Sequence, residues 1–320
     1  MQITCIKCQK LFSFEKLAKK ENCPYCKKSQ KTPKDPWTPG VVLGFRYKII
    51  QEIGKGGHGV ICLVRDILEE KNYAIKVFYA SSLNEERAKS FLQEAQFARN
   101  FVHANIVRTY GGGSDGNVFY IIQSWICGVD LIRYEKNIGK FSVEQACYIM
   151  LKIANALQFI WDNFSIIHRD IKPANILIDV NGTVLLTDFG IMMPSYEDDE
   201  TDDLQCTPDY VSPEAATGDA SVDIRSDFYS LGATFYRLIN GQKPFRGRTA
   251  EDVIIQRLEG SPPRLSDKAD VPESFSDIIL KLMQYNKNDR FQNADELKVA
   301  IEKCLELVNK KLKIKKHVDV

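Results

Sequence analysis

Long hydrophobic runs are missing from this chain. No stretch approaches the roughly 18 apolar residues of a membrane-spanning helix, and the opening MQITCIKCQK lacks the apolar core of a secretory signal. Both absences point to a cytoplasmic protein. An excess of one charge is missing too: 43 Lys and Arg face 42 Asp and Glu, a formal net charge of +1. Nothing in that balance recommends nucleic acid or a membrane surface as a partner. A disulfide framework is also lacking, since the nine cysteines are an odd number, four in two C-x-x-C units and five scattered. What is present is 320 residues with 44% hydrophobic content, enough to bury the core of one large globular unit with something small beside it.

The small unit is at the N-terminus. Cys5 and Cys8 in CIKC, with Cys23 and Cys26 in CPYC, spell C-x2-C-x14-C-x2-C, just short of the usual spacer of a four-thiolate zinc site. Each C-x-x-C turn can aim two sulfurs at one tetrahedral ion, and a segment this short cannot build a sufficient core without such a staple. Four thiolates leave no open position for water, so the expected zinc is structural. Paired disulfides or a redox C-x-x-C are the alternatives. Residues 1–31 are thus expected to form a zinc ribbon whose lysines could meet an acidic protein or nucleic acid, although a solvated basic face explains them more simply. The following KTPKDPWTPG, with three prolines, places a stiff linker over 32–44.

From residue 46, RYKIIQEIGKGGHGVICLV has β-rich runs on both sides of Gly54, Gly56 and Gly59. A dinucleotide-binding loop would open a helix after its glycines, whereas VICLV continues as strand, so a hairpin tip is expected, with bare amides free to lie over phosphates. The strand NYAIKVF, 72–78, puts Ala74, Lys76 and Phe78 on one face, leaving Lys76 as a cation with apolar neighbours. Its expected counter-charge is Glu94, which shares a helix face with Phe91 and Ala98 on a helix starting at the capping-box pattern Ser82 to Glu85.

The densest signal is IIHRDIKPANILI, 166–178, where His, Arg, Asp, Lys and Asn stand inside an apolar run, followed ten residues on by TDFG. Buried charges are expensive unless partnered, so this density marks a site. Together with the glycine loop and Lys76, these motifs resemble the protein kinase family, in its Ser/Thr branch and among the eukaryotic-like (Hanks-type) bacterial kinases. The resemblance implies an α+β, bilobal kinase domain over 45–306, a small β-rich lobe and a larger helical one, leaving 307–320 as a basic tail.

The resemblance further implies the roles. Asp170 accepts the proton of the attacking hydroxyl and Lys172 neutralises the γ-phosphate of ATP, while Asn175 and Asp188 hold Mg2+ and Lys76, oriented by Glu94, holds the α- and β-phosphates. Gly54, Gly56 and Gly59 cover the nucleotide. Ile61, Ala74 and Leu177 sandwich adenine, and the hinge QSWI, with Ser124 and Ile126, binds its edge behind Gln123. In CTPDYVSPEA, Thr207 belongs to the substrate loop and Cys206 replaces the usual glycine. Glu214 pairs with Arg290, Asp227 anchors the catalytic loop, and Arg169 receives an activating phosphate, with Thr201, inside the acidic run YEDDETDD, as its preferred carrier. Ala174 and Arg237 stand where basic-directed members carry acids, which disfavours arginine upstream of the target residue. The implied partners are ATP and Ser/Thr-bearing proteins, this chain included. The alternatives are a pseudokinase or a zinc-ribbon adaptor that binds partners without catalysis.

Overall fold

The computed structural model describes residues 2–4, 8, 10–13, 24–26, 35–56, 59–79, 92–116, 118–189, 208–219, 221–265 and 271–318. They divide into two compact units: the described residues up to Val102 with Val107–Ile126, and His103–Ile106 with the described residues from Cys127 onward. The division after Ile126 falls at the stretch read as a hinge.

The first unit is an antiparallel sheet of eight strands: β1 (Gln2–Thr4), β2 (Leu11–Ser13), β3 (Val41–Leu43), β4 (Tyr47–Gly56), β5 (Gly59–Asp66), β6 (Asn72–Tyr79), β7 (Thr109–Asp115) and β8 (Val118–Ser124). Their order is β2-β1-β3-β4-β5-β6-β8-β7. Period-two alternation sorts the side chains. On β6, Ile75 and Val77 are fully buried, and they pack with Val60, Cys62, Val64 and Ile49 of β5 and β4. Lys76 and Phe78 lie on the other face, against which the helix α1, 92–97, lays Leu92 and Ala95. Residues 80–91, including the expected start of this helix, lie outside the described residues.

One element departs from the sequence reading. Val41, Val42 and Leu43, inside the stretch read as a linker, form β3 and are all 0% exposed. This strand pairs with β4 on one side and with β1 on the other, Gln2 opposite Val42 and Ile3 opposite Val41, so the N-terminal hairpin and the glycine-loop strands share one sheet. The prolines and glycine upstream hid a run of only three residues. Trp37, also in that stretch, packs against the same core.

The second unit is mainly helical, with a small sheet of β9 (Gly128–Asp130), β10 (Ile176–Asp179) and β11 (Val184–Leu186), β10 in the centre. Its helices are α2 (Leu131–Ile138), α3 (Val143–Phe164), α4 (Pro213–Ala216), α5 (Ile224–Asn240), α6 (Ala250–Glu259), α7 (Glu273–Leu282) and α8 (Ala294–Val318). Start signals in the sequence explain their bounds. Ser142 and Gln145 form a complete capping box for α3, Thr249 and Asp252 do so for α6, and Asp223 caps α5, which stops at a left-handed Gly241. α5 is the core helix, packed against α3 and α7, and buries residues on all sides. α8 continues to Val318, through the stretch read as a tail. No described helix is long and apolar enough to cross a membrane.

Candidate active site

In the sheet unit, β4 and β5 close as a hairpin with Gly56 opposite Gly59, residues 57–58 at the tip lying outside the described residues. Gly59 has φ +144°, and a Cβ there would come within 2.3 Å of the Val77 carbonyl oxygen, so no other residue fits the approach of β5 to β6. Gly54 stands opposite Ile61, and Ile61 opposite Lys76. Lys76 in turn faces Ile121, and Ala74 faces Gln123. Ile61, Ala74 and Lys76 are half-buried and adjoin on one sheet surface. The Lys76 ammonium lies 5.7 Å from the centroid of the Phe78 ring. Glu94 is on α1, whose neighbouring Leu92 and Ala95 pack against that same surface. At the end of β8, Gln123 is buried and reaches Thr109 at 3.4 Å, while the backbone of Ser124 donates to the Arg108 carbonyl at 2.8 Å, which fixes the start of 124–126.

In the helical unit His168, Asp170, Lys172 and Asn175 have side-chain partners and Arg169 is exposed, which resolves the place of polar residues in an apolar run. Asp227, on α5 and 1% exposed, accepts the backbone amides of His168 at 2.6 Å and Arg169 at 2.9 Å. Burial pushes its carboxyl up to about 7 against the opposing pull of those two amides. His168 is wholly buried, which lowers its pKa; its ring meets the Thr187 carbonyl at 2.9 Å and packs 4.6 Å from Phe189. Arg169 and Asp188 both adopt left-handed φ, 69° and 59°, a strained conformation for non-glycine residues that marks sites held by their surroundings.

Around Asp170 the bonds are directional. Asn175 Nδ2 donates to the Asp170 carbonyl and to its Oδ2, each at 2.8 Å, and Lys172 Nζ reaches the same Oδ2 at 2.7 Å. Oδ2 is therefore fully engaged, whereas Oδ1 makes no hydrogen bond among the described residues, and the side chain is 30% exposed. Asn175 commits its amide nitrogen in the same way, leaving its carbonyl oxygen as a hard donor. The Thr187 amide donates to the backbone carbonyl of Asn175 at 3.0 Å, which sets Asp188 beside Asn175 in the chain's path. Asn175 and Asp188 thus offer the oxygen chemistry that Mg2+ takes. Leu177, on β10, is half-buried opposite Leu185.

Glu214 and Arg290 form a bidentate pair at 2.6 and 2.7 Å, and Ser226 donates to Glu214 at 2.6 Å. Burial alone would raise Glu214, but the Arg290 and Ser226 interactions outweigh it and hold the carboxyl below its usual range. Arg237 pairs with Glu135, and Lys243 with Asp209 at 2.5 Å. Sequence reasoning missed Ser226 and also Thr234, whose hydroxyl donates to the Ile171 carbonyl at 3.3 Å; a hydroxyl inside an apolar helix is ambiguous until its neighbour is known. Thr201, Cys206 and Thr207 lie outside the described residues. So do Cys5 and Cys23, while Cys8 and Cys26 are half-buried. Among the described residues no three His, Cys, Asp or Glu side chains gather to hold a metal.

Comparison with known proteins agrees with this arrangement. The family model described as the protein kinase domain matches residues 47–302. A probable serine/threonine-protein kinase of Clostridium acetobutylicum is 35% identical over 263 residues, 81% of this chain and 40% of that one. The serine/threonine-protein kinase PrkC of Bacillus subtilis is 33% identical over 267 residues, 82% of this chain and 41% of its own. PknB of Mycobacterium leprae is 34% identical over 265 residues, 80% of this chain and 42% of its own. A crystal structure of Rad53 in complex with AMP-PNP superposes with a TM-score of 0.66 at 26% identity, covering 79% of this chain and 64% of that one. The chain belongs to the protein kinase family. Within it, the domain is a serine/threonine protein kinase domain of the bacterial Hanks type, a transferase fold with a β-sheet lobe and a helical lobe. The chain spans 40 to 42% of the length of these curated relatives.

Proposed function

We propose that this chain transfers the γ-phosphate of ATP to Ser and Thr hydroxyls of proteins, itself among them. The observation that carries the reading is that Oδ1 of Asp170, unlike Oδ2, has no hydrogen-bond partner among the described residues. With Oδ2 held by Asn175 and Lys172, the carboxylate is fixed in rotation and presents one unsatisfied acceptor to an entering hydroxyl. In the transfer, the hydroxyl oxygen bonds to the γ-phosphorus, the bond to the β-phosphate oxygen breaks, ADP leaves, and the hydroxyl proton passes to Asp170. Lys172, already beside Asp170, counters the charge on the transferred group. Asn175 and Asp188 are the residues that would hold Mg2+, which when bound neutralises phosphate charge. Lys76, oriented by Glu94, holds the α- and β-phosphates under Gly54, Gly56 and Gly59, with Ile61, Ala74 and Leu177 around adenine and Ser124 and Ile126 along its edge. Thr207 serves the substrate loop, and phosphate on Thr201 acts through Arg169.

The test is incorporation of label from ATP into the chain and into a generic protein substrate. Asp170→Asn is expected to lower kcat by at least about 10²-fold with ATP affinity retained, because it removes the proton acceptor and leaves the remaining contacts. Equal rates in the two proteins, or label on tyrosine alone, would overturn the reading.

We further propose that Cys5, Cys8, Cys23 and Cys26 hold one structural zinc. Two features support it. β1 and β2 form a hairpin, Thr4 opposite Leu11, whose connection includes a turn at Cys8, and Pro24–Cys26 is itself a turn, so one cysteine of each C-x-x-C is at a turn. Metal analysis of chain purified without chelator is expected to give one zinc per chain, and none in a Cys8→Ser, Cys26→Ser variant. The reduced thiols that this requires suit a cytoplasmic setting.

A further inference from the structure

The connection between α5 and α6 carries charge of one sign. From Arg237 to Thr249 the chain has Arg237, Lys243, Arg246 and Arg248 and no Asp or Glu, in a protein whose charges otherwise balance. These four cations are of two kinds. Arg237 and Lys243 are committed, the first to Glu135 and the second to Asp209 at 2.5 Å. Arg246 and Arg248 are exposed and form no ion pair among the described residues.

The backbone that carries them is fixed. Gln256 on α6 brackets Arg246, its Nε2 donating to the Arg246 carbonyl at 2.5 Å and its Oε1 accepting from the Arg246 amide at 3.3 Å. Asp252 accepts from the amides of Arg248 at 2.9 Å and Thr249 at 3.2 Å. Gly247, between the two arginines, lies so close to α6 that a Cβ there would come within 2.3 Å of the Asp252 Cβ. Phe245, just before them, is buried, with its ring centroid 5.6 Å from the Arg257 guanidinium. A pinned backbone lowers the ordering cost of any partner that pairs with its side chains. The acids next in the chain are engaged, Asp252 by these amides and Glu251 by a hydrogen bond with Thr249.

This connection is also joined to the segment along which a peptide would lie. Pro208, Asp209 and Tyr210 follow Thr207 in the substrate loop. Arg257, 1% exposed, donates from Nη1 to the Pro208 carbonyl at 2.5 Å, Lys243 pairs with Asp209, and Tyr210 lies in the field of Arg237. Exposed guanidiniums take carboxylates through parallel hydrogen bonds, so the partner that fits is an acidic stretch of polypeptide. Ala174 and Arg237, where acids would favour a basic peptide, agree with that sign. The chain itself contains such a stretch, YEDDETDDLQ at 196–205, with six acids around Thr201.

We propose that Arg246 and Arg248 bind carboxylates flanking the acceptor residue of the protein substrate, so that this kinase domain selects Ser and Thr in acidic segments. The inference rests on the kinase reading above. It is tested with the full chain, ATP and two peptides: YEDDETDDLQ, in which Thr201 is the one Ser or Thr, and the same peptide with Gln for each Glu and Asn for each Asp. The acidic peptide is expected to show a kcat/KM about tenfold above the neutral one, through KM. Arg246→Gln combined with Arg248→Gln should bring this ratio close to one, and the corresponding Lys substitutions should keep most of it, with KM for ATP as in the parent throughout. Equal kcat/KM for the two peptides in the parent, or an undiminished ratio in the double Gln variant, overturns the proposal. The first of these outcomes needs no variant, so it decides even if the double variant fails to fold. Phosphorylation of both peptides without preference leaves the kinase reading standing, whereas no phosphorylation of any protein or peptide overturns that reading itself.

Discussion

A chain beginning at Asp35 is expected to fold, and one beginning at Phe45 is not. The second removes β3, and with it Val41, Val42 and Leu43, each 0% exposed. Burying such side chains stabilises by about 1.5–3 kcal/mol each, on the order of 5–9 kcal/mol together, against a typical domain stability of about 5–15 kcal/mol. Truncation also strips β4 of its neighbour, opposite Lys48 and Tyr47, and removes Trp37 from the core surface. Starting at Asp35 keeps all of this and loses, among the described residues, the β1 pairing, two residue pairs long. Urea unfolding of the two truncations checks the expectation. Equal midpoints would mean that β3 contributes nothing to the sheet unit.

Glu214→Ala is expected to destabilise the helical unit by about 3–5 kcal/mol, the usual result of stripping one partner from a buried pair. The remaining Arg290 is fully buried and would face two lost charge-assisted bonds, while Ser226 would lose its acceptor. Glu214→Gln should cost less, since an amide oxygen still accepts. The pH dependence follows from the same pair. Glu214 is held below its ordinary range, so its contribution is complete above the unfolded-state pKa of about 4.3 and is lost as pH falls through the lower folded value. The fall in thermal midpoint on acidification should therefore be steeper in the parent than in Glu214→Gln. Parallel acid limbs would show that the pair does not govern acid stability.

Much of the domain could be read in the sequence because its signals are local. The β4–β5 hairpin followed from strand composition around three glycines, and the site at 166–178 from polar residues in an apolar run. β3 was not legible, because three apolar residues after Pro39 and Gly40 carry no period, and only pairing with β1 and β4 makes them a strand. Arg257 was hidden for a related reason. On a helix written AEDVIIQRLE an arginine reads as a solvated position, and only the arrival of Tyr229, Phe245 and Pro208 from distant parts of the chain buries it. Asp227 and Glu214 were accessible through the family's ordered motifs, whereas Ser226 and Thr234, which complete their surroundings, had no motif of their own.

One helix links these groups. α5 supplies Asp227 to the amides of the catalytic loop, Ser226 to Glu214, Tyr229 near both buried guanidiniums and Thr234 to the Ile171 carbonyl. Its amides are shielded by the deepest packing in the unit, so they should open to solvent only in the global event. Local breathing can therefore loosen surface segments, but it cannot release the Asp170 loop from α5 without unfolding the unit around it. On heating, the Asp170 loop and the helical unit are therefore expected to lose their structure in a single cooperative transition.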